Sequence, residues 1–250
     1  MVMPLWDENP FTKSEKPWAT WGIIGLNIVV FALQAAFGEQ EEAILKAYAL
    51  TPVAVSHPVS LLGGIPADLT LVTSMFLHAD IFHLFGNMIF LFVFGDDVEE
   101  AMGSLRFIVF YLSSGIVGAL AFVASGPQSV IPLIGASGAV SGVIAAYLML
   151  RPCAKIKVLL FYFVFSLDAF WVIGSWALLQ VVHLASQPDD DVAYWAHIGG
   201  LLAGALLFPI MRRPGVDLFE CVERREDPFG GEPVANATTL SGVPREPTVR

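Results

Sequence analysis

The chain has 250 residues, of which 56% are hydrophobic and 14% charged, with a mean hydropathy of +0.68. Soluble domains carry roughly a quarter of charged residues, so this composition excludes an ordinary soluble globule and indicates a polytopic, all-α membrane protein. The formal charge of -10 offers no footing for a nucleic-acid partner.

The first 18 residues, MVMPLWDENPFTKSEKPW, alternate acidic and basic groups ahead of a long apolar run. A cleaved signal peptide is therefore not expected, and the first span, Ala19 to Phe37, should persist as an anchor. Apolar stretches that can cross a hydrocarbon core of ~30 Å follow at Ile81 to Phe94, Phe107 to Ser125, Ile134 to Leu150 and Val192 to Met211. The stretch Ile156 to Ala185 is too long for one crossing; Asp168 interrupts it, and Trp171 to Ala185 reads as its membrane core. Six spans over residues 19–211 result. The second is short unless it begins near His78, which would put polar side chains of its first turns below the surface. Residues 212–250 are rich in Pro, Gly and charge, which predicts a mostly disordered cytoplasmic tail.

Cytoplasmic loops collect Lys and Arg. Of the 13 such residues in the chain, only Lys46 falls in the set of loops after spans one, three and five. The others lie before span one (Lys13, Lys16), between two and three (Arg106), between four and five (Arg151, Lys155, Lys157) and after six. Both termini are thus expected in the cytoplasm, and the opposite loops hold Glu39, Glu41, Glu42, Asp68, Asp80 and Asp189 to Asp191. Cys153 and Cys221 fall on the cytoplasmic side, where thiols stay reduced, so no disulfide is expected.

Spans two, four and six all enter from the outer side in this topology. LIGASGAVSG puts Ser137 at the head of span four, YWAHIGGLLAG puts His197 near the start of span six, and FLHADIFHLFGNM puts His78, His83 and Asn87 along the first turns of span two. Polar groups inside a membrane are costly and mark function by default. A lone serine among glycines is ordinarily a packing residue, and a lone buried histidine ordinarily a structural one; the shared depth of three helices favours a site. A serine hydroxyl becomes a nucleophile when a base takes its proton, and a neutral imidazole is the usual base. The first turn of span four directs unpaired N–H groups and the positive end of its dipole outward. His83 and Asn87, four residues apart, share a helix face and can donate to an oxyanion. His78 reads as a rim, loop-holding or substrate-contacting residue, and His57 and His183 as structural. A zinc site on His78, His83 and His197 is the rival chemistry, but HExxH is absent and asparagine is a poor zinc ligand. Neither metal nor cofactor is expected.

These motifs resemble those of the rhomboid intramembrane serine proteases. HADIFHLFGNM is similar to the family's H-x4-H-x3-N pattern, GASG to its G-x-S-G and AHIGGLLAG to its A-H-x-x-G segment, while FGDDVEEAMGSLRF resembles its loop between spans two and three. The likeness covers Leu71 to Met211. It implies a six-helix bundle in which Ser137 is the nucleophile, His197 its base without an acidic third member, and His83, Asn87 and the Ser137 N–H the oxyanion donors. The implied substrates are transmembrane helices of other proteins, cut in the bilayer near the outer face. Two features depart from relatives: Ser141 stands where some members place an aromatic ring against the imidazole, leaving Tyr194 and Trp195 as candidates to hold His197, and the first outer loop lacks the Trp-Arg pair of some members. The alternative is a catalytically silent rhomboid-like protein that binds membrane clients; such members lack the serine or the histidine, and this chain has both. A transporter would need paired broken helices, which are not visible.

The glycines carry a further expectation. Gly138 and Gly142 on span four, and Gly200 and Gly204 on span six, form small-residue strips that allow close helix approach. Together with Gly135 they are expected to pack at the site and set the Ser137–His197 distance, whereas Gly115 and Gly118 on span three should have no part in it. Glu99, Glu100 and Arg106 are expected to brace the turn between spans two and three.

Overall fold

The structure, a computed structural model, describes residues 2–8, 16–38, 41–57, 65–160, 162–186, 193–225 and 234–239. Lys13, Glu39, Asp189 to Asp191, the predicted start of span six at Val192, Arg245 and Arg250 lie outside them. Among the described residues, five helices are long and apolar enough to cross a membrane: α1 (Trp18–Ala36), α5 (Ile81–Met102), α6 (Ser104–Ser125), α8 (Ala169–Ser186) and α9 (Tyr194–Met211). A sixth, α7 (Ser137–Leu150), is shorter and has 11 of its residues buried. Between α1 and α5 lie three short helices, α2 (Glu41–Tyr48), α3 (Pro52–Ser56) and α4 (Ala67–Thr73), and a 3-10 turn at Ser74–Phe76.

The outward and inward faces of α1 carry the signature of a lipid-facing helix. Leu26, Val29 and Leu33 are exposed, while Thr20, Asn27 and Gln34 are buried. Hydrocarbon solvates leucine as well as a protein core does, so polar side chains turn inward to partners. Gln34 Nε2 donates to the carbonyl of His78 at 2.7 Å and Asn27 Nδ2 to that of Ile23 at 2.8 Å.

The second span is not short in the way its apolar run implies. Helix α5 continues past Phe94 through Asp96, Asp97, Glu99 and Glu100 to Met102, with Glu99 held by partners inside the bundle. Glu99 is 3% exposed and accepts from Ala19 N (2.9 Å), Thr20 N (2.7 Å), Thr20 Oγ1 (2.8 Å) and Ser104 Oγ (2.5 Å). It thus serves the unpaired N–H groups at the start of α1 and ties them to α6. Arg106 instead reaches the carbonyl of Met211 at the end of α9, 3.4 Å away. Each buried polar group left unpaired costs about 1–3 kcal/mol, so Glu99→Ala should lower stability by about 2–3 kcal/mol, read as a lower thermal midpoint in detergent with serine-probe labelling of the folded fraction unchanged.

At the end of the bundle that carries most Lys and Arg, the chain adds a small sheet and a disulfide to the helices. Residues 156–168, the part of the long apolar stretch ahead of the expected span core, form a hairpin, β2 (Lys155–Leu160) and β3 (Phe163–Asp168), to which the N-terminal strand β1 (Val2–Glu8) adds antiparallel in the order β1-β2-β3, while the core itself lies within α8. In β2, Ile156 and Val158 point inward while Lys155 and Lys157 do not, the two-residue alternation of a strand, and Lys155 pairs with Asp168 at 2.6 Å. The chain is mostly helical, as expected, with this small sheet at one end.

Cys153 and Cys221 are joined in a disulfide, where two free thiols were expected. That expectation rested on the compartment assigned to them and not on distance. Phe219 N donates to Met149 O at 2.6 Å and Arg151 pairs with Glu220 at 2.7 Å, which folds the tail back onto the end of α7 and brings the sulfurs together across 68 residues of sequence. In the same tail, β4 (Glu220–Arg225) pairs antiparallel with β5 (Val234–Thr239), so part of the segment predicted as disordered is described as a hairpin.

Candidate active site

Helix length sets the depth of the site. At ~1.5 Å per residue, the 14 residues of α7 span ~21 Å and the 22 of its neighbour α6 ~33 Å, so the head of α7 lies below the ends of the helices around it. The segment before it descends to that level. Leu50 and Leu133 exchange both backbone hydrogen bonds, at 3.2 and 2.7 Å, and Gly135 N donates to Ser74 O at 2.9 Å. No side chain caps α7, which leaves the N–H groups of its first turn directed into the space above Ser137.

Into that space the fold brings the predicted residues of three helices. His197 Nε2 lies 2.8 Å from Ser137 Oγ. Asp80 caps α5, accepting from Phe82 N (2.7 Å) and His83 N (2.9 Å); its carboxyl is held below the ordinary carboxylate range, chiefly by the His83 N–H. His83 thus occupies the first turn of α5, with Asn87 one turn further. A methyl group on Gly135 would lie 2.7 Å from both His83 Cε1 and Nε2 and 3.7 Å from Asn87 Nδ2. Both side chains therefore border the residue two before Ser137.

His78 does not stand at a rim. It is fully buried, its Nε2 is 3.0 Å from Asn87 Nδ2, and Gln34 of α1 binds its backbone N–H and carbonyl. The residues before α5 fold under the helix instead of over it, so His78 contacts Asn87 from inside the bundle. An asparagine amide has two N–H donors; one meets His78 and the other is left for the site.

The sequence reading missed Gln180. This residue of α8 is 8% exposed, and its Oε1 lies 2.8 Å from His197 Nδ1. Its signal was a lone amide in the apolar run Trp171 to Ala185. Trp176 and Tyr194 flank the imidazole with ring centroids at 6.1 and 6.4 Å, while Trp195 is exposed. Ser141 turns its hydroxyl to Ser137 O at 2.6 Å. His183 stacks on Tyr194 at 5.7 Å and His57 meets Gln128 at 2.7 Å. Among the described residues no group of three His, Cys, Asp or Glu side chains is assembled for a metal.

The glycines of α7 and α9 meet. A Cβ on Gly200 would run into the carbonyl of Gly138, and one on Gly204 into that of Gly142. The separation of α6 from this seam does not hold, however. A Cβ on Gly118 would come 2.6 Å from Ala196 O and 3.4 Å from Gly138 Cα, and one on Gly199 3.1 Å from Gly118 Cα. Three helices cross here, because small residues on α6 also face the first turn of α9. Gly115 is covered by the flexible end of Met75.

Gly135 has φ +115°, a conformation that costs L-residues with a Cβ. Gly135→Ala therefore both strains the loop and displaces His83. Loss of one oxyanion donor costs about 10²- to 10³-fold in turnover, and a fall of that size in cleavage is expected, with melting temperature measured alongside to separate it from unfolding.

The profile of the Rhomboid domain matches residues 68–214. The chain is 29% identical over 218 residues to "Rhomboid protein 1, mitochondrial" of Saccharomyces cerevisiae, covering 79% of this chain and 55% of that protein. It is 32% identical over 145 residues to "RHOMBOID-like protein 6, mitochondrial" of Arabidopsis thaliana, covering 58% and 44%. With the "Putative rhomboid protease YdcA" of Bacillus subtilis it shares 30% over 156 residues, covering 62% and 68%. The chain spans about half the length of the first two of these relatives.

Proposed function

The chain belongs to the rhomboid family, and from that premise we propose that it is an intramembrane serine endopeptidase that cuts transmembrane helices of other proteins with Ser137 and His197. The observation that carries the reading is the 2.8 Å contact between Ser137 Oγ and His197 Nε2, made at the uncapped head of a buried helix. In the reaction Ser137 Oγ attacks the scissile carbonyl as His197 Nε2 takes its proton. The negative oxygen that results is met by the Ser137 N–H, the free N–H of Asn87 and His83. His197 then returns the proton to the leaving amine, and water repeats the sequence on the acyl-enzyme.

The substrate must supply an extended segment. A helix ties up its backbone carbonyls, so attack favours stretches where helix is cheap to open, such as those with Gly or Pro. Beside Ser137 a narrow cleft is lined by Met75, Gly115, Ala119, Ala139 and Ala196, which suits a small side chain next to the cut bond. Both termini lie in the cytoplasm on this reading, by the distribution of Lys and Arg. The Cys153–Cys221 bond sits at that same end, where a reducing compartment favours two thiols; labelling of single cysteines in sealed vesicles measures the side directly.

The test is incubation of the purified protein in detergent with a panel of single-span substrates, together with a fluorophosphonate or isocoumarin probe. Cleavage inside or beside the span, with the probe attached at Ser137, is expected, and a chelator should leave both unchanged. Failure of both, or activity lost to chelator and restored by zinc, would overturn the serine mechanism.

A further inference from the structure

We propose that Gln180 is a positioning residue of this site, its amide oxygen locking the His197 imidazole into the one neutral tautomer that can serve as a base. The proposal rests on the protease reading above and adds to it a third, uncharged member supplied by α8.

A neutral imidazole carries one N–H, on either nitrogen. An amide oxygen can only accept, so with Gln180 Oε1 at 2.8 Å the proton belongs on Nδ1. The lone pair on Nε2 then faces the Ser137 hydroxyl, 2.8 Å away. The opposite orientation of the amide would put its NH₂ against Nδ1 and the ring proton on Nε2, and the hydroxyl would face a donor that cannot take its proton. When Ser137 gives up its proton, the ring becomes an imidazolium, and the Nδ1–H···O bond becomes charge-assisted and stronger. The contact therefore stabilises the state in which the nucleophile forms.

The location explains why the group is an amide. Of the buried residues of α8, which are Ala169, Val172, Ile173 and Gln180, only Gln180 is polar. A carboxylate at this depth would need a compensating cation, whereas an amide orients the ring without a net charge. The neutral orienting residue of Cys-His-Asn enzymes works on the same logic. Ser141 does not compete for the role, because its hydroxyl is turned to Ser137 O.

The experiment compares full-length Gln180→Met and Gln180→Glu with wild type in detergent, by kcat and KM on a cleaved single-span substrate and by nitrogen NMR of ¹⁵N-histidine-labelled protein. The His197 signals are identified by their loss in His197→Ala. Wild type should show His197 protonated on Nδ1. Gln180→Met, similar in size but without an acceptor oxygen, should move the ring away from that tautomer and lower kcat about 10- to 100-fold with KM nearly unchanged, the scale of an outer-shell orienting group. Gln180→Glu, which without a compensating cation at this depth stays a neutral carboxylic acid, keeps a carbonyl oxygen as acceptor and should retain the Nδ1–H tautomer and most of kcat, a rescue that a merely space-filling role does not give. Should Gln180→Met fail to fold, Gln180→Asn, which shortens the reach by a methylene, carries the same expectation. A wild-type tautomer in Gln180→Met, or equal loss in Gln180→Met and Gln180→Glu, would overturn the proposal. If wild type cleaves nothing, the protease reading fails, while the tautomer measurement still decides the role of Gln180.

Discussion

Ser137→Ala and His197→Ala should each lower cleavage to the limit of detection, a loss of about 10⁴-fold or more, since removing either the nucleophile or its base costs about 10⁶-fold in a soluble serine protease. The two changes differ in what they do to the fold. The Ser137 hydroxyl has its contact with His197, and alanine suits the helix at least as well, so Ser137→Ala should melt like wild type. His197→Ala strands the Gln180 oxygen and should melt lower. Because the pair acts as a unit, the double variant should be no slower than either single one. Measured turnover with a single-span substrate checks all three, and a Ser137→Ala protein that still cuts at a comparable rate would end the dyad assignment.

The second large effect belongs to the seam where α6, α7 and α9 cross. Gly200→Ala should reduce kcat by about 10²-fold or more, the cost of displacing reacting groups by about an ångström, because its methyl group would meet the carbonyl of Gly138, next to Ser137. Backbone cannot yield as a flexible side chain can, so the helices must part. Gly204→Ala, which meets Gly142 a turn lower, should act in the same direction. Gly118 cannot serve as the control on a third span, since it lies in the crossing. Gly25 on α1 and Gly174 on α8 face open space, and alanine at either should leave cleavage near wild type. Rates are compared per folded molecule below the melting transition; activity of Gly200→Ala within about threefold of wild type would show that the seam does not govern the dyad.

Much of the candidate site was legible because its residues are exceptions to a strong rule. In a chain where hydrocarbon selects apolar side chains, Ser137, His197, His83 and Asn87 stand out, and the helical period places their relative depth. Gln180 obeyed the same rule and was passed over, because one amide in a span has no neighbour in sequence that reveals its partner. His78 was misplaced for a related reason. Its distance from His83 along the chain predicts a position above α5, but the chain turns at Asp80 and the ring is carried inward to Asn87.

The sequence by itself determined the mostly helical membrane class, the segments apolar enough to cross a bilayer and the three motifs of the candidate site, because hydropathy and 3.6-residue periodicity act within one segment at a time. Only the tertiary structure decided what depends on pairs distant along the chain. These are the Gln180–His197 contact, the three-helix glycine crossing, the use of Glu99 to cap α1, the addition of β1 to the β2–β3 hairpin and the Cys153–Cys221 bond. In each the decisive quantity is a distance between atoms on different elements. Composition can show that a buried amide or carboxylate needs a partner, but it cannot show which group the packed helices bring within reach.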